Sequence, residues 1–147
     1  MKKIYLVLLL LSALVPPAAS SDSQIVLHLT SYHTNRDAGY NEHNYGVGVR
    51  TMVGERTGLT AGAYNNSFDD FGAYVAASYD LYQGDAATFR VIGGLVSGYN
   101  DTILIMLLPE VGIPMGRSEV LIGFIPAAPD QTESSAVFTL SVGFRID

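Results

Sequence analysis

Residues Val137-Phe138-Thr139-Leu140-Ser141-Val142-Gly143-Phe144-Arg145-Ile146 decide the fold class. Leu140, Val142 and Phe144 alternate with Thr139, Ser141, Gly143 and Arg145, a period of two that gives a β-strand two unlike faces. The same alternation places Ile25, Leu27 and Leu29 against Val26, His28 and Thr30, and sets Val47 and Val49 among glycines and Arg50. Short turn-like groups separate such runs at Gly54–Thr57, Gln83–Ala86 and Gly112–Gly116. Longer tips are expected near 34–43, 68–71, 100–102 and 127–133. The spacing predicts eight strands over 24–33, 44–53, 58–67, 72–82, 87–99, 103–111, 118–126 and 134–146, each near the length of a transmembrane β-strand. The expected architecture is all-β, an eight-stranded antiparallel transmembrane β-barrel of up-and-down meander topology, with short turns on the periplasmic side and the tips outside.

Ahead of the first strand, Met1-Lys2-Lys3 is basic, Ile4 to Val15 is an apolar run, and Ala18, Ala19 and Ser20 are small. This is the three-part layout of a secretory signal peptide, so residues 1–20 are expected to be removed and 21–147 to form one domain. The apolar run falls short of the roughly 20 residues that span a bilayer as a helix. Both lysines leave with the signal, so six arginines face 14 acids, a net charge of −8. Nucleic acid is a poor partner for that surface. The chain has no cysteine, which excludes disulfides, a thiol nucleophile and thiolate metal sites. No metal or cofactor is expected.

A soluble barrel of lipocalin type also alternates. Aromatic residues at the strand ends favour the membrane: Tyr32, Tyr40, Tyr45, Tyr64, Phe68, Phe71 and Tyr99 near one rim, and Tyr82, Phe89 and Phe144 near the other, as in interfacial girdles.

Chemistry-bearing residues gather in Ser31–Gly48, which holds His33, Asp37, Tyr40, Glu42 and His43, and in the tip Tyr64–Asp70. On one rim, the two segments would bring a histidine to Ser67. His33 sits at the rim end of the first strand and His28 about 16 Å deeper along it, at roughly 3.3 Å per residue. Depth therefore favours His33. Facing parity favours His28, because alternation with Ile25, Leu27 and Leu29 turns His28 inward and His33 outward; a bulge near Ser31 would relax that parity.

With these residues in place, the chain resembles the PagP family, outer-membrane lipid A palmitoyltransferases. The matching pieces are a histidine on the first strand, Tyr40-Asn41-Glu42 followed by Gly46 and Gly48, the Asn66-Ser67 tip, Leu107-Leu108-Pro109 on the sixth strand and Phe124-Ile125-Pro126 on the seventh. They occur in the family's order over nearly the whole of 21–147. The chain departs from better-known members in leaving no room for an amphipathic helix before the barrel and in carrying Asn66 where they have an acid. A short, divergent branch is the better comparison.

The resemblance implies transfer of a palmitoyl-type chain from a phospholipid donor to lipid A of lipopolysaccharide, by a monomer in the outer membrane. The family's essential histidine could fall on His33 or His28; with His33 put first on depth, the candidate site residues are His33, Ser67 and Asn66. His33 would act as base, Ser67 as an acylated nucleophile or an orienting group, and Asn66 as an amide donor to the tetrahedral intermediate. An acid partner for the histidine is left open among Asp37, Glu42, Asp69 and Asp70. Pro109 and Pro126, which lack the ladder donor, would open gaps in the wall for the acyl chain, and Ala76, Ala77, Gly93 and Gly94 would leave the lumen wide. The alternative is a non-catalytic small barrel, structural or adhesive, for which a polar-filled lumen is expected.

Overall fold

The computed structural model describes residues 22–99, 102–127 and 135–146. The expected signal segment 1–20 and the centres of the tips expected near 100–102 and 127–133 lie outside the described residues. Eight strands follow in order: β1 (Ser23–His33), β2 (Gly46–Met52), β3 (Thr57–Asn65), β4 (Phe71–Gln83), β5 (Thr88–Tyr99), β6 (Thr102–Met115), β7 (Ser118–Ile125) and β8 (Val137–Ile146). Each pairs antiparallel with the next, and β1 closes on β8 from Ser23↔Ile146 to His33↔Val137. The expected eight-stranded meander is the observed fold. Closure satisfies the strand edges that an open sheet would present to lipid.

The faces separate as a membrane barrel requires. Ile103, Ile105 and Leu107 occupy alternate, outward positions of β6, with Ile105 88% exposed, and Leu27, Val47, Leu95 and Leu140 continue the apolar exterior. Soluble monomers do not carry an apolar band around their whole circumference. Inside, Val26, Ile92, Val96 and Leu121 are buried together with many polar groups.

Three connections, 53–56, 84–87 and 116–117, lie on one rim, here called lower. The upper rim carries the longer connections 34–45, 66–70 and 126–136. Each strand has an end one or more residues away from the sequence expectation, and two of these shifts bear on the turns and the site. β6 runs on through Pro114 to Met115, and the turn shrinks to Gly116 and Arg117, with Gly116 in the left-handed region at φ 68°. β3 stops at Asn65, so Asn66 and Ser67 belong to the tip rather than the strand.

The lower half of the lumen is filled by charge. Arg90 is the hub: its Nη2 donates to Glu119 Oε1 at 2.8 Å, its Nη1 to Glu110 Oε1 at 3.4 Å, and its Nε lies 3.2 Å from Asp80 Oδ1. Arg50 Nη2 donates to the same Glu110 oxygen at 3.0 Å, and Gln24 Nε2 to Glu119 at 3.0 Å. These five charged residues are each 8% exposed or less, and they hold one another. Above them lies a cavity of about 390 Å³ that reaches the upper rim. A polar cavity of about 310 Å³ lies below.

Candidate active site

The floor of the upper cavity is built around Tyr74. Its hydroxyl meets His28 Nε2 at 2.9 Å, and His28 Nδ1 meets Ser141 Oγ at 3.0 Å, which ties β4, β1 and β8 together. Gly48 and Gly62 make this possible, since a Cβ at either would strike the Tyr74 hydroxyl. The walls are apolar, with Leu29, Ile92, Val96, Leu104 and Leu108 among the lining residues. Of the four small residues expected to widen the lumen, Ala76 is buried on the inward register; Ala76 pairs with Gly94, whose Cβ would press into the Ala76 backbone.

At the mouth, His33 Nε2 lies 3.0 Å from Ser67 Oγ. The two tips that carry them are stitched together: Asn41 N–H donates to the Ser67 carbonyl at 2.9 Å, Asn41 Nδ2 to the Asn66 carbonyl at 3.0 Å, and Asn44 Nδ2 to the Asn65 carbonyl at 3.0 Å. Tyr40 stacks on the His33 ring at 4.7 Å between centroids. The Tyr40-Asn41-Glu42 segment thus places one residue on the histidine's face, one on the serine tip and one on the histidine's backbone.

Inward facing of both histidines has a local cause. The β1–β8 register shifts between His28 and Thr30, so one extra residue is absorbed at Leu29. Below the bulge Val26 and His28 face in; above it Ser31 and His33 do, while Tyr32 is 53% exposed outside. A bulge re-aims every side chain beyond it. The structure therefore brings His33, and not His28, to Ser67.

Glu42 is the acid nearest the histidine. Its Oε1 accepts the His33 backbone N–H at 2.9 Å, lies 3.7 Å from His33 Nδ1 and pairs with Arg36 Nη1. Arg36 and the His33 N–H hold the Glu42 carboxyl below the usual glutamate range, so it is ionised at neutral pH. The other candidate acids do different work. Asp37 lies in the 3₁₀ turn Arg36–Ala38. Asp69 accepts from Asn65 Nδ2 at 2.7 Å and Asp70 from the Phe71 N–H at 2.7 Å, both within the serine tip. His43 stacks on exposed Tyr45.

Asn66 corrects the expectation of an amide aimed at the intermediate. It is fully buried; its Oδ1 accepts from the Phe68 and Asp70 N–H groups at 2.9 and 3.1 Å, and its Nδ2 donates to the Gly98 carbonyl at 2.7 Å. The side chain is the internal frame of the tip that presents Ser67. Asn66→Ala is expected to leave those groups unpaired, at about 1–3 kcal/mol, and to lower the urea midpoint of the refolded protein while the barrel's circular dichroism stays β. Tyr40, Tyr64 and Tyr99, expected in the outer girdle, are likewise inward: Tyr64 and Tyr99 share a hydroxyl contact at 3.1 Å across the lumen.

Among the described residues, the β6–β7 ladder beside the site is incomplete. The β6–β7 ladder covers only Glu110↔Gly123 to Met115↔Ser118 among the described residues. Above it, Thr102 to Pro109 pairs with β5 and Phe124–Ile125 with β8. Pro109 sits at the boundary and Pro126 just beyond β7, as the missing donors predict.

No protein-family model matches this chain, and no curated protein does. Among solved structures it is similar to the N-terminal β-barrel domain of Pseudomonas aeruginosa OprF, with a TM-score of 0.54 and 12% sequence identity over 86% of this chain and 98% of that one. At that identity the likeness is one of fold, an eight-stranded antiparallel barrel.

Proposed function

We propose that the protein is an outer-membrane acyltransferase that moves a palmitoyl-type chain from a phospholipid to lipid A. The observation that carries this is the 3.0 Å contact between His33 Nε2 and Ser67 Oγ at the mouth of a largely apolar cavity. A histidine that accepts a serine proton is the common engine of ester chemistry. The cavity below accepts a hydrocarbon tail, and the opening between β6 and β7 lets that tail enter from the bilayer without passing through water.

Transfer then takes two balanced steps. His33 Nε2 takes the Ser67 proton as Oγ attacks the donor ester; collapse of the tetrahedral intermediate expels the lysophospholipid alkoxide, which leaves with the Nε2 proton. A lipid A hydroxyl next gives its proton to Nε2 and attacks acyl-Ser67, and Oγ regains the proton as it departs. A non-catalytic barrel would contain the lower charged layer equally well, but it has no use for a largely apolar cavity ending on a histidine–serine pair.

The test is expression in a Gram-negative host followed by mass spectrometry of lipid A. The intact protein should add one acyl chain, and Ser67→Ala should add none. An unchanged lipid A mass with the intact, folded protein sinks the proposal.

A further inference from the structure

His33 is 3% exposed, and its Nδ1 is buried without a hydrogen-bond partner. When Nε2 accepts the Ser67 proton, Nδ1 carries the ring's other hydrogen and the ring becomes a cation. A buried, unpaired N–H is costly, and an imidazolium more so. Glu42 Oε1 is 3.7 Å away, just beyond hydrogen-bond range, and that oxygen is already shared between the His33 backbone N–H and Arg36. Arg36 is therefore competing with the imidazole for the carboxylate.

Arg36 is placed to be drawn away. Its side chain is 56% exposed, leans over the Tyr32 ring at 5.0 Å and stands on the upper rim. Among the described residues, Arg50 and Arg90 lie in the charged layer and Arg56, Arg117 and Arg145 at the lower end of the barrel, so Arg36 is the arginine an anionic group meets at the mouth. A guanidinium binds phosphate in a planar, bidentate fork that a single carboxylate oxygen does not match.

We propose that Arg36 is a substrate-sensitive latch on the histidine: a lipid phosphomonoester arriving at the upper rim, with the second negative charge that a phospholipid diester lacks, takes Arg36 from Glu42, and the freed carboxylate closes on His33 Nδ1–H and completes the site. Glu42 is then a positioning residue, with its full effect expressed only while substrate is bound. The latch rests on the acyl-transfer proposal for its purpose. It suppresses acyl transfer to water, because the base is incomplete until the phosphate is in place.

Purified protein in detergent micelles tests it in three arms: phospholipid donor alone, donor with phosphate-free lipid A, and donor with bisphosphorylated lipid A. The intact protein should consume donor slowly alone and faster with the phosphorylated acceptor than with the phosphate-free one. Arg36→Ala should raise hydrolysis of donor alone about tenfold, the worth of one charge-assisted hydrogen bond, and should raise KM for the phosphorylated acceptor while erasing its kcat advantage. Arg36→Lys should restore part of that advantage. Glu42→Gln should lower all three arms and abolish the gain of Arg36→Ala when combined with it. If a neutral diacylglycerol donor is hydrolysed more slowly than the phospholipid by intact protein, and equally by Arg36→Ala, the donor's diester supplies the phosphate and the phosphomonoester latch is overturned.

A fall of hydrolysis and transfer together in Arg36→Ala overturns the latch, as does unchanged activity in Glu42→Gln. A second readout does not require turnover. In ¹⁵N-histidine-labelled protein, dihexanoyl phosphatidic acid should move the His33 Nδ1–H resonance downfield. Arg36→Ala should show the moved position without it, and Glu42→Gln should show no movement. The latch fails if the resonance of the intact protein stays put. If it moves in a protein that transfers no acyl chain, the latch stands and the acyl-transfer proposal fails alone.

Discussion

His33→Ala protein is expected to lose about three orders of magnitude of acyl transfer, the middle of the range for removing a general base, while it still folds and inserts. His28→Ala, five residues deeper on the same strand, is expected to keep measurable transfer. The contrast is sharp because both histidines face the same cavity and both contact a serine hydroxyl at 3.0 Å. They differ in what surrounds the pair. Ser67 stands at the mouth, where two lipid headgroups can meet. Ser141 is 7% exposed beneath the apolar walls, and His28 spends its other ring nitrogen on Tyr74. Removing His28 takes a member from the floor network, so its cost falls on stability and on the shape of the cavity bottom. Lipid A mass spectrometry with both variants decides it. Transfer that survives His33→Ala but not His28→Ala would move the chemistry to the floor.

Depth along the strand was legible in the sequence, and it selected His33 correctly as the partner of Ser67. Facing was not. The alternation of Ile25, Leu27 and Leu29 turns His33 outward, and the bulge that reverses this falls at Leu29, a residue with neither glycine nor proline beside it to mark the kink. Leucine fits the regular ladder as well as it fits the bulge, so period-two counting had nothing to detect. The barrel itself was legible because every strand repeats one pattern, and a wrong boundary in one does not disturb the others. The site depends on single contacts at unrelated separations, from His33 to Glu42 nine positions on and to Ser67 34 positions on. Tyr40, Tyr64 and Tyr99 look like girdle residues from their place near strand ends, yet their rings turn inward to close over His33 and the lumen.

Glu42 illustrates the same limit from the electrostatic side. Four acids lie near the two tips in the sequence, and spacing alone ranks none of them. Contact with the His33 backbone, made because Thr30 Oγ1 and the Ser31 N–H hold the Glu42 carbonyl at 2.6 and 3.0 Å, brings this carboxylate and no other beside the imidazole. The closed tips decide which side chains meet, and they close through asparagine and threonine side chains that read as ordinary turn residues.

The charged layer was the largest feature missed, and it carries the largest expected effect on stability. Arg50, Asp80, Arg90, Glu110 and Glu119 come one to a strand from β2, β4, β5, β6 and β7, so each looks like an isolated polar residue until the barrel closes. Arg90 is bonded or paired to three carboxylates, and its side chain is 7% exposed. Arg90→Ala would leave Asp80, Glu110 and Glu119 facing one another with only Arg50 to offset them. Breaking a buried ion pair from one side typically costs about 3–5 kcal/mol, and three acids sharing one arginine place this variant at the upper end. Urea unfolding in lipid vesicles should show that loss. Arg50→Ala should lose less, because Arg50 binds Glu110 alone in this layer and Arg90 still holds that carboxylate at 3.4 Å. The lower cavity supplies the check on dryness. If water entering from it already solvates the layer, the carboxylates are screened and Arg90→Ala will cost less than about 1 kcal/mol, the value of an exposed pair. A small loss would also change the view of the barrel's bottom, since a hydrated layer conducts ions where a dry one seals. Single-channel recording on the intact protein and on Arg90→Ala should therefore move with the unfolding result: no conductance before the substitution, and an open path after it.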